Sequence, residues 1–169
     1  MARFLYIIFL FVFSLVNHTT HAVSVEVTSI KITKAGLFSF EKSKEEKNDN
    51  IATSKLLISK SEAFIKKTDK IYAKKGVTSF GISYFVNGYP IGKTVPIKVK
   101  WLHPPIYNSS TRESSSTTFW TSKNKIGKTN YVVHSYENAG DMPPGKYIIQ
   151  LYYENRKLAE KEFLVVESP

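Results

Sequence analysis

Residues 79–102 read SFGISYFVNGYPIGKTVPIKVKWL, and this stretch decides the fold class. Apolar residues occupy every second position over 80–86 and again over 95–101. With this two-residue period, alternate side chains point to opposite faces, which is typical of a strand with one buried face. Asn87-Gly88 lies between the two runs and favours a type I′ turn. The stretch therefore predicts an antiparallel hairpin.

The same pattern occurs near both ends of the chain. Residues 23–27 alternate, and the apolar phase then slips by one position at 28–29. Such a slip turns the apolar set to the other face, so it predicts a β-bulge or a switch between sheets. Near the C-terminus, residues 147–153 and 158–166 flank a turn at 154–156, which predicts a second hairpin.

Other segments carry weaker signals. Residues 41–50 contain no apolar residue, and we expect a mobile surface loop there. Residues 51–75 fit either short strands or a short helix. The Pro-Pro pair at 104–105 predicts the end of a strand, and the Ser/Thr-rich stretch 108–118 predicts a long loop. Pro96 lacks a backbone N–H, so it predicts an edge position or a bulge.

Together these signals predict an all-β fold. About seven to eight short strands, spaced by eight to twelve residues, are typical of an antiparallel immunoglobulin-like β-sandwich. Tyr147 follows Gly145 at the start of a predicted strand, where the tyrosine corner of such a sandwich is found.

The N-terminus predicts export. After Arg3, residues 4–16 are apolar apart from one serine, and a polar stretch leads to Thr20-His21-Ala22. This run is shorter than the roughly 20 residues that a membrane-spanning helix needs, and its flanks are typical of a secretory signal peptide. We therefore expect cleavage after Ala22, with an uncleaved anchor as the alternative. Residues 1–22 are then the signal peptide, residues 23–169 form one domain, and its location is periplasmic or secreted, with no transmembrane helix after cleavage.

The charge of the chain is strongly positive. Lys and Arg number 24 against 14 Asp and Glu, which gives a formal net charge of +10, and the signal peptide accounts for one of these charges through Arg3. Such a field attracts anionic surfaces, although a lysine-rich surface also serves solubility alone. Nearly all the cations are Lys, and no basic run is interleaved with stacking aromatic residues, so we do not expect a nucleic-acid partner.

Several short stretches carry a resemblance to a known family. They are Phe-Gly-Ile-Ser-Tyr at 80–84, Gly-Tyr-Pro-Ile-Gly at 88–92, Trp-Leu-His-Pro-Pro at 101–105, Pro-Gly-Lys-Tyr at 144–147 and Leu-Ala-Glu-Lys-Glu-Phe at 158–163. Together they resemble a bacterial domain family of unknown function that is found in exported proteins. The resemblance implies an immunoglobulin-like sandwich and export, and it carries over no functional residue.

The inventory of reactive side chains is small. The chain has no Cys, which excludes thiolate chemistry, and it has no Gly-x-Ser-x-Gly motif or Gly-rich phosphate loop. His103 and His134 are the two histidines after residue 22, and we interpret them as surface residues that nothing brings together. A metal site completed by Glu137 or Asp141 is the minority alternative. We therefore predict no metal, no cofactor and no enzymatic activity.

A binding or structural role remains, and we expect the binding site on the loops at one end of the sandwich. Tyr89, Tyr107 and Trp120 are the candidate binding residues, as an aromatic platform for a glycan or peptide. The first hypothesis is a domain that engages an envelope component or a protein partner. The alternatives are an adhesin-like or effector module that binds anionic surfaces, and an exported hydrolase with an unrecognised site.

Overall fold

A computed structural model describes residues 24–74, 78–108, 111–135, 137 and 142–168. The predicted signal peptide lies outside these residues. Within them, no helix has the length and apolar character needed to cross a membrane.

The described residues form nine strands in two sheets that pack face to face. The first sheet has the strand order β2-β1-β4-β7 and the second has the order β3-β9-β8-β5-β6. All pairs are antiparallel except β3 with β9. The strands are β1 (Glu26–Lys47), β2 (Lys55–Lys67), β3 (Lys70–Ala73), β4 (Ser79–Tyr89), β5 (Thr94–Asn108), β6 (Glu113–Lys125), β7 (Thr129–Ser135), β8 (Gly145–Tyr153) and β9 (Arg156–Glu167).

This architecture confirms the predicted all-β sandwich. The strand number exceeds the expected seven to eight because the ambiguous segment 51–75 contributes both β2 and β3. The alternating runs of β4 and β5 form the two facing inner layers, and each large side chain buried there contributes about 1.5–3 kcal/mol. The buried residues of these runs are Phe80, Ile82, Tyr84, Val86, Val95, Ile97, Val99 and Trp101.

Phe80 lies at the centre of an aromatic cluster between the sheets. Its ring centroid is 5.5 Å from that of Trp101, 5.6 Å from that of Tyr147 and 5.1 Å from that of Phe163, with edge-to-face geometry. The Tyr147 hydroxyl donates a hydrogen bond to the Pro143 carbonyl at 3.0 Å. This bond to the backbone four residues upstream confirms the predicted tyrosine corner.

Three local predictions are also confirmed. The register between β1 and β4 shifts between Val27 and Ser29, which is the predicted bulge. Pro96 pairs with β6 alone, because β8 joins β5 only from Lys98 onward, so the proline holds an edge position. Residues 154–155 both have positive φ and form the predicted turn between β8 and β9.

The prediction of an antiparallel hairpin with a turn at Asn87-Gly88 is wrong, because β4 and β5 lie in different sheets and do not pair. Both residues belong to β4 and pair with β1. The chain instead reverses after Pro90, where the Lys93 N–H donates to the Pro90 carbonyl. An Asn-Gly pair tolerates a type I′ turn but does not require one, and here the long β1 strand supplies main-chain partners for both residues.

The predicted loop at 41–50 is also wrong over most of its length. β1 continues to Lys47, and residues 38–47 pair with β2 as a two-stranded ribbon. Side chains 41–47 are exposed, and main-chain hydrogen bonds and cross-strand ion pairs hold this part of the ribbon without apolar residues from β1. One such pair joins Lys55 Nζ to a Glu45 carboxylate oxygen at 3.0 Å.

The prolines at 104–105 do not end β5, and 108–118 is not a long loop. β5 runs on to Asn108, and a register irregularity between Leu102 and Ile106 accommodates the two residues that cannot donate hydrogen bonds. β6 then begins at Glu113. Its first residues, 113–118, carry polar side chains, and they form a strand because β5 supplies their pairing.

Candidate functional site

The ribbon of β1 and β2 extends past the first sheet and reaches the second. β1 leaves β4 at Leu37, whereas its pairing with β2 continues to Lys47. The turn that joins β1 to β2, residues 48–54, is called the hairpin tip below. It contacts β5 and β6 of the opposite sheet, so the ribbon closes one end of the sandwich.

Two hydrogen bonds attach the hairpin tip to β6. The Phe119 N–H donates to the Asn50 carbonyl at 3.0 Å. The N–H of Ala52, which is buried, donates to the Thr118 hydroxyl oxygen at 3.0 Å. Because 66 residues separate Ala52 from Thr118 in the chain, only the folded sandwich brings these groups together.

Beneath the hairpin tip lies an inter-sheet cleft of about 480 Å³. This volume is within the range of small-molecule and peptide sites. Its walls include the consecutive residues 120–123 of β6 and 131–135 of β7. Each of these strands is the last in its sheet. Because consecutive residues point to alternate faces, such a lining means that the cleft meets the edges of both strands.

Trp101 lines the inter-sheet cleft, and its side chain carries a buried donor. The side chain is only 3% exposed. Its indole Nε1–H has no hydrogen-bond partner, and among the described residues it is the one buried side-chain polar atom in that state. A buried donor without an acceptor costs about 1–3 kcal/mol, which an acceptor on a bound molecule would recover.

The two histidines are not separate surface residues, which corrects the expectation from sequence. His103 is 7% exposed, and the rings of His103 and His134 lie 6.1 and 6.3 Å from the Tyr147 ring. Both residues line the inter-sheet cleft. The irregularity in β5 keeps His103 within a strand, where the sequence indicated a strand end.

Both ring nitrogens of His103 are engaged. Nδ1 lies 2.8 Å from the Pro104 carbonyl oxygen, which can only accept, so Nδ1 carries the proton. Nε2 lies 3.1 Å from the Thr118 hydroxyl and accepts from it in the neutral ring. Burial lowers the pKa of His103, partly opposed by the bond to Pro104, so the folded state holds the neutral form.

This neutral histidine predicts a pH-dependent stability. Because the pKa of His103 is lower in the folded state than the ordinary 6.5, the unfolded state binds more protons below that pH. Its stabilisation is therefore full above pH 6.5 and is lost as the pH falls toward the folded pKa. We expect the urea midpoint to fall between pH 7.5 and pH 5.5, and to fall less in His103→Gln.

The pH window separates this effect from that of the carboxylates. The shifted pKa values of Glu45 and Glu160 move below the ordinary 4.5, mainly through their bonds to lysines, so these groups stay ionised at pH 5.5. An equal loss of stability in the wild type and in His103→Gln would contradict the assignment.

Four lysines share the outer face of the second sheet, beside the cleft. Pro96 pairs with Lys123 and Lys98 with Thr121 in the ladder of β5 and β6, so these side chains lie on one face. None of the four lies within 4 Å of a carboxylate among the described residues, although lysines elsewhere do. This lysine face consists of Lys98, Lys100, Lys123 and Lys125.

Residues 26–165 match the model of a family described as Domain of unknown function (DUF3859). The chain belongs to this family. The match covers every described strand except the last residues of β9, and it confirms the resemblance drawn from the sequence. No curated protein matches the chain.

The fold of this DUF3859 domain is similar to a crystal structure of an immunoglobulin-like protein from Pseudomonas aeruginosa. The TM-score is 0.59 at 20% sequence identity, over 85% of this chain and 98% of that chain. At this identity the similarity concerns the fold alone, and it confirms the immunoglobulin-like sandwich.

The three predicted binding residues occupy different places in the DUF3859 domain. Tyr89 ends β4, just before the turn into β5, and is 62% exposed. Tyr107 is 64% exposed and precedes the last residue of β5, so it lies at the opposite end of that strand. Trp120 lines the inter-sheet cleft. Their binding roles stay predictions, and the structure brings only Trp120 to this site.

No three His, Cys, Asp or Glu side chains in the described ranges are grouped closely enough to hold a metal ion. Asp141 lies outside those ranges. Sequence reasoning missed Trp101 as a site residue, because its place in an alternating run indicated only the core.

Proposed function

We propose that this DUF3859 domain is a non-catalytic binding domain that engages a protein partner or an envelope component in the inter-sheet cleft. Its place of action is the periplasm or the cell exterior, after removal of residues 1–22. The observation that carries the proposal is the buried Trp101 N–H, which has no acceptor in a cleft of about 480 Å³. Because the Nε1 atom has almost no accessible surface, a bound molecule satisfies this donor only by displacing a side chain that covers it in the wall of the cleft.

The engagement of His103 supports a role without catalysis. Its Nε2 accepts from the Thr118 hydroxyl, as a general base does from a nucleophile, but Thr118 is only 8% exposed and a carbonyl, that of Pro104, rather than a carboxylate orients the ring. The Thr118 hydroxyl is held between His103 and the Ala52 N–H. A hydroxyl that is buried and already bonded on both sides is poorly placed to attack a substrate, and turnover in a screen of ester, amide and glycoside substrates would instead support the hydrolase hypothesis.

A second candidate function is binding to anionic surfaces through the lysine face. Four ammonium groups without carboxylate partners, on a chain of formal charge +10, attract polyanions. Such attraction weakens when added salt screens exposed charges. The two candidate functions therefore differ in their response to salt.

Co-sedimentation tests both functions. The secreted protein would be mixed with purified cell-wall sacculi or with anionic vesicles, at low and at high salt. Binding in the cleft predicts pelleting that survives salt and weakens about fivefold in Trp101→Phe, since one hydrogen bond contributes about 1 kcal/mol. Binding through the lysine face predicts pelleting that salt abolishes, as does replacement of its four lysines by glutamine.

Two controls complete the experiment. Circular dichroism would verify that Trp101→Phe is folded, because phenylalanine keeps an aromatic ring but leaves part of the indole volume empty. Where neither sacculi nor vesicles pellet the protein, a pull-down with wild type and Trp101→Phe as paired baits tests a protein partner. Equal binding by the two proteins in every assay would overturn the cleft as the binding site.

A further inference from the structure

The outer edge of β6 is the most open strand edge that the described residues contain. β6 spans 13 residues and pairs with β5 in unbroken register from Lys125 back to Thr117. The other edges are shorter or irregular: β3 has four residues, β7 has seven, and β2 pairs through three register shifts. Bulges and short length protect an edge from pairing with another chain, and this part of β6 has neither.

The direction of the main-chain groups along β6 follows from one hydrogen bond. The Phe119 N–H donates to Asn50 of the hairpin tip rather than to β5, so Phe119 faces outward. In an antiparallel ladder, every second residue presents both its N–H and its C=O to the same side. Thr121 and Lys123 therefore also face outward, away from β5.

The outward groups of β6 differ in whether they are satisfied. The Thr117 N–H donates to the Ser115 hydroxyl, and Phe119 is paired with the hairpin tip. For Thr121 and Lys123, no outward main-chain partner lies within the described part of the chain, and both residues line the inter-sheet cleft. The Asn50 carbonyl already accepts a hydrogen bond from this edge, as the first residue of an added strand would. The cleft continues along β6 to Thr121 and Lys123.

The side chains beside this edge indicate what an added strand carries. On the outer face, Thr121 and Lys123 are exposed; Lys123 belongs to the lysine face, and Thr121 lies opposite its member Lys98. On the other face, Trp120 is half-buried and lines the inter-sheet cleft together with Trp101. Since side chains of a strand alternate between faces, the complementary segment has acidic residues alternating with apolar residues.

We propose that β6 captures an extended segment of a partner protein, with alternating acidic and apolar residues, by adding it as a further strand at Thr121 and Lys123. This inference rests on the proposed binding function of the inter-sheet cleft and names its occupant. Main-chain hydrogen bonds hold the segment, its carboxylates meet the lysine face, and its apolar side chains enter the cleft.

The test compares two substitutions at one position. Thr121→Pro removes the outward N–H, and an edge strand tolerates proline on its free side. Thr121→Ala removes the side chain and keeps the N–H. The probe is an octapeptide of alternating Glu and Val, acetylated at its N-terminus and amidated at its C-terminus. Its affinity for each variant is measured by isothermal titration calorimetry at low salt. We expect at least about tenfold weaker binding in Thr121→Pro and less than about twofold change in Thr121→Ala.

A second comparison uses the wild-type protein alone, so it does not depend on the folding of a variant. Two further peptides carry N-methyl groups on one or the other set of alternate amides, so each has one hydrogen-bonding edge blocked, and we expect the peptide blocked on the edge that faces β6 not to bind. Hydrogen exchange of the complex should also protect the amides of Thr121 and Lys123. Equal binding of the plain and both N-methylated peptides, or of Thr121→Pro and Thr121→Ala, would overturn strand addition.

The outcome for the peptide is distinct from the outcome for the proposed function. If the peptide fails to bind at millimolar concentration while sacculi retain the protein in a Trp101-dependent manner, strand addition is wrong and the cleft binds another ligand, such as a glycan. If peptide, sacculi, vesicles and pull-down all fail, the proposed function itself is wrong. A peptide with Lys in place of Glu should bind weakly, which checks the role of the lysine face.

Discussion

Replacement of Phe80 by alanine is expected to lower the free energy of unfolding by about 3–5 kcal/mol. Phe80 is fully buried, and its ring contacts Trp101, Tyr147 and Phe163 with edge-to-face geometry. The substitution removes the transfer free energy of the ring and leaves a cavity between two sheets whose strands cannot collapse into it. Urea unfolding followed by tryptophan fluorescence would measure the change.

Phe119→Ala is the matched control for this prediction. The same side chain is removed, but Phe119 is 38% exposed on the outer face of β6 and contacts the Lys98 ammonium. We expect a loss of about 1–2 kcal/mol there, because the ring is already partly in water, no closed cavity forms, and an exposed cation–π contact contributes about 0.5–1 kcal/mol. Similar losses for the two variants would contradict the central role of Phe80.

Replacement of Gly81 by alanine is expected to cost about 3 kcal/mol or more, although it adds only one methyl group. A Cβ at this position would lie 1.9 Å from the Val132 carbonyl oxygen and 2.8 Å from the Val133 Cα. These are backbone atoms of β7, so relief requires the strands to separate and lose ladder hydrogen bonds. Overpacking costs 1–3 kcal/mol even where side chains can adjust.

Gly92→Ala separates this clash from a general cost of losing a glycine. Gly92 has a φ of +83° in the turn between β4 and β5, and an added Cβ there has no neighbouring atom within 4 Å. Its replacement carries only the strain of the left-handed conformation, about 1–2 kcal/mol. Urea midpoints of the two variants would rank them. A larger loss in Gly92→Ala than in Gly81→Ala would refute the steric argument.

The inner strands were predictable from sequence because burial on one face leaves a local pattern. The alternation over 80–86 and 95–101 matches buried positions of β4 and β5, and the phase slip at 28–29 marks a bulge. The ribbon at 38–47 was not predictable. Phe38 is buried, but side chains 41–47 of β1 are exposed, and the main-chain hydrogen bonds that hold this part leave no periodic trace in the side chains.

The inter-sheet cleft was only partly visible in the sequence. Trp120 was a candidate from its residue type, whereas Trp101 and His103 indicated core and surface respectively. Their roles depend on which groups meet across the sandwich. The burial of His103 and the lack of an acceptor for the Trp101 N–H depend on contacts between residues that are far apart in the chain, such as Ala52 and Thr118.

By itself, the sequence determined the fold class, the main inner strands, the tyrosine corner and the family, because each depends on residue types at short spacing. The tertiary structure alone decided that the hairpin tip crosses to the second sheet, that β6 and β7 end their sheets beside a cleft, and that four lysines share one face. These features depend on strand order and on contacts between distant residues, and neither is encoded in any local pattern of the chain.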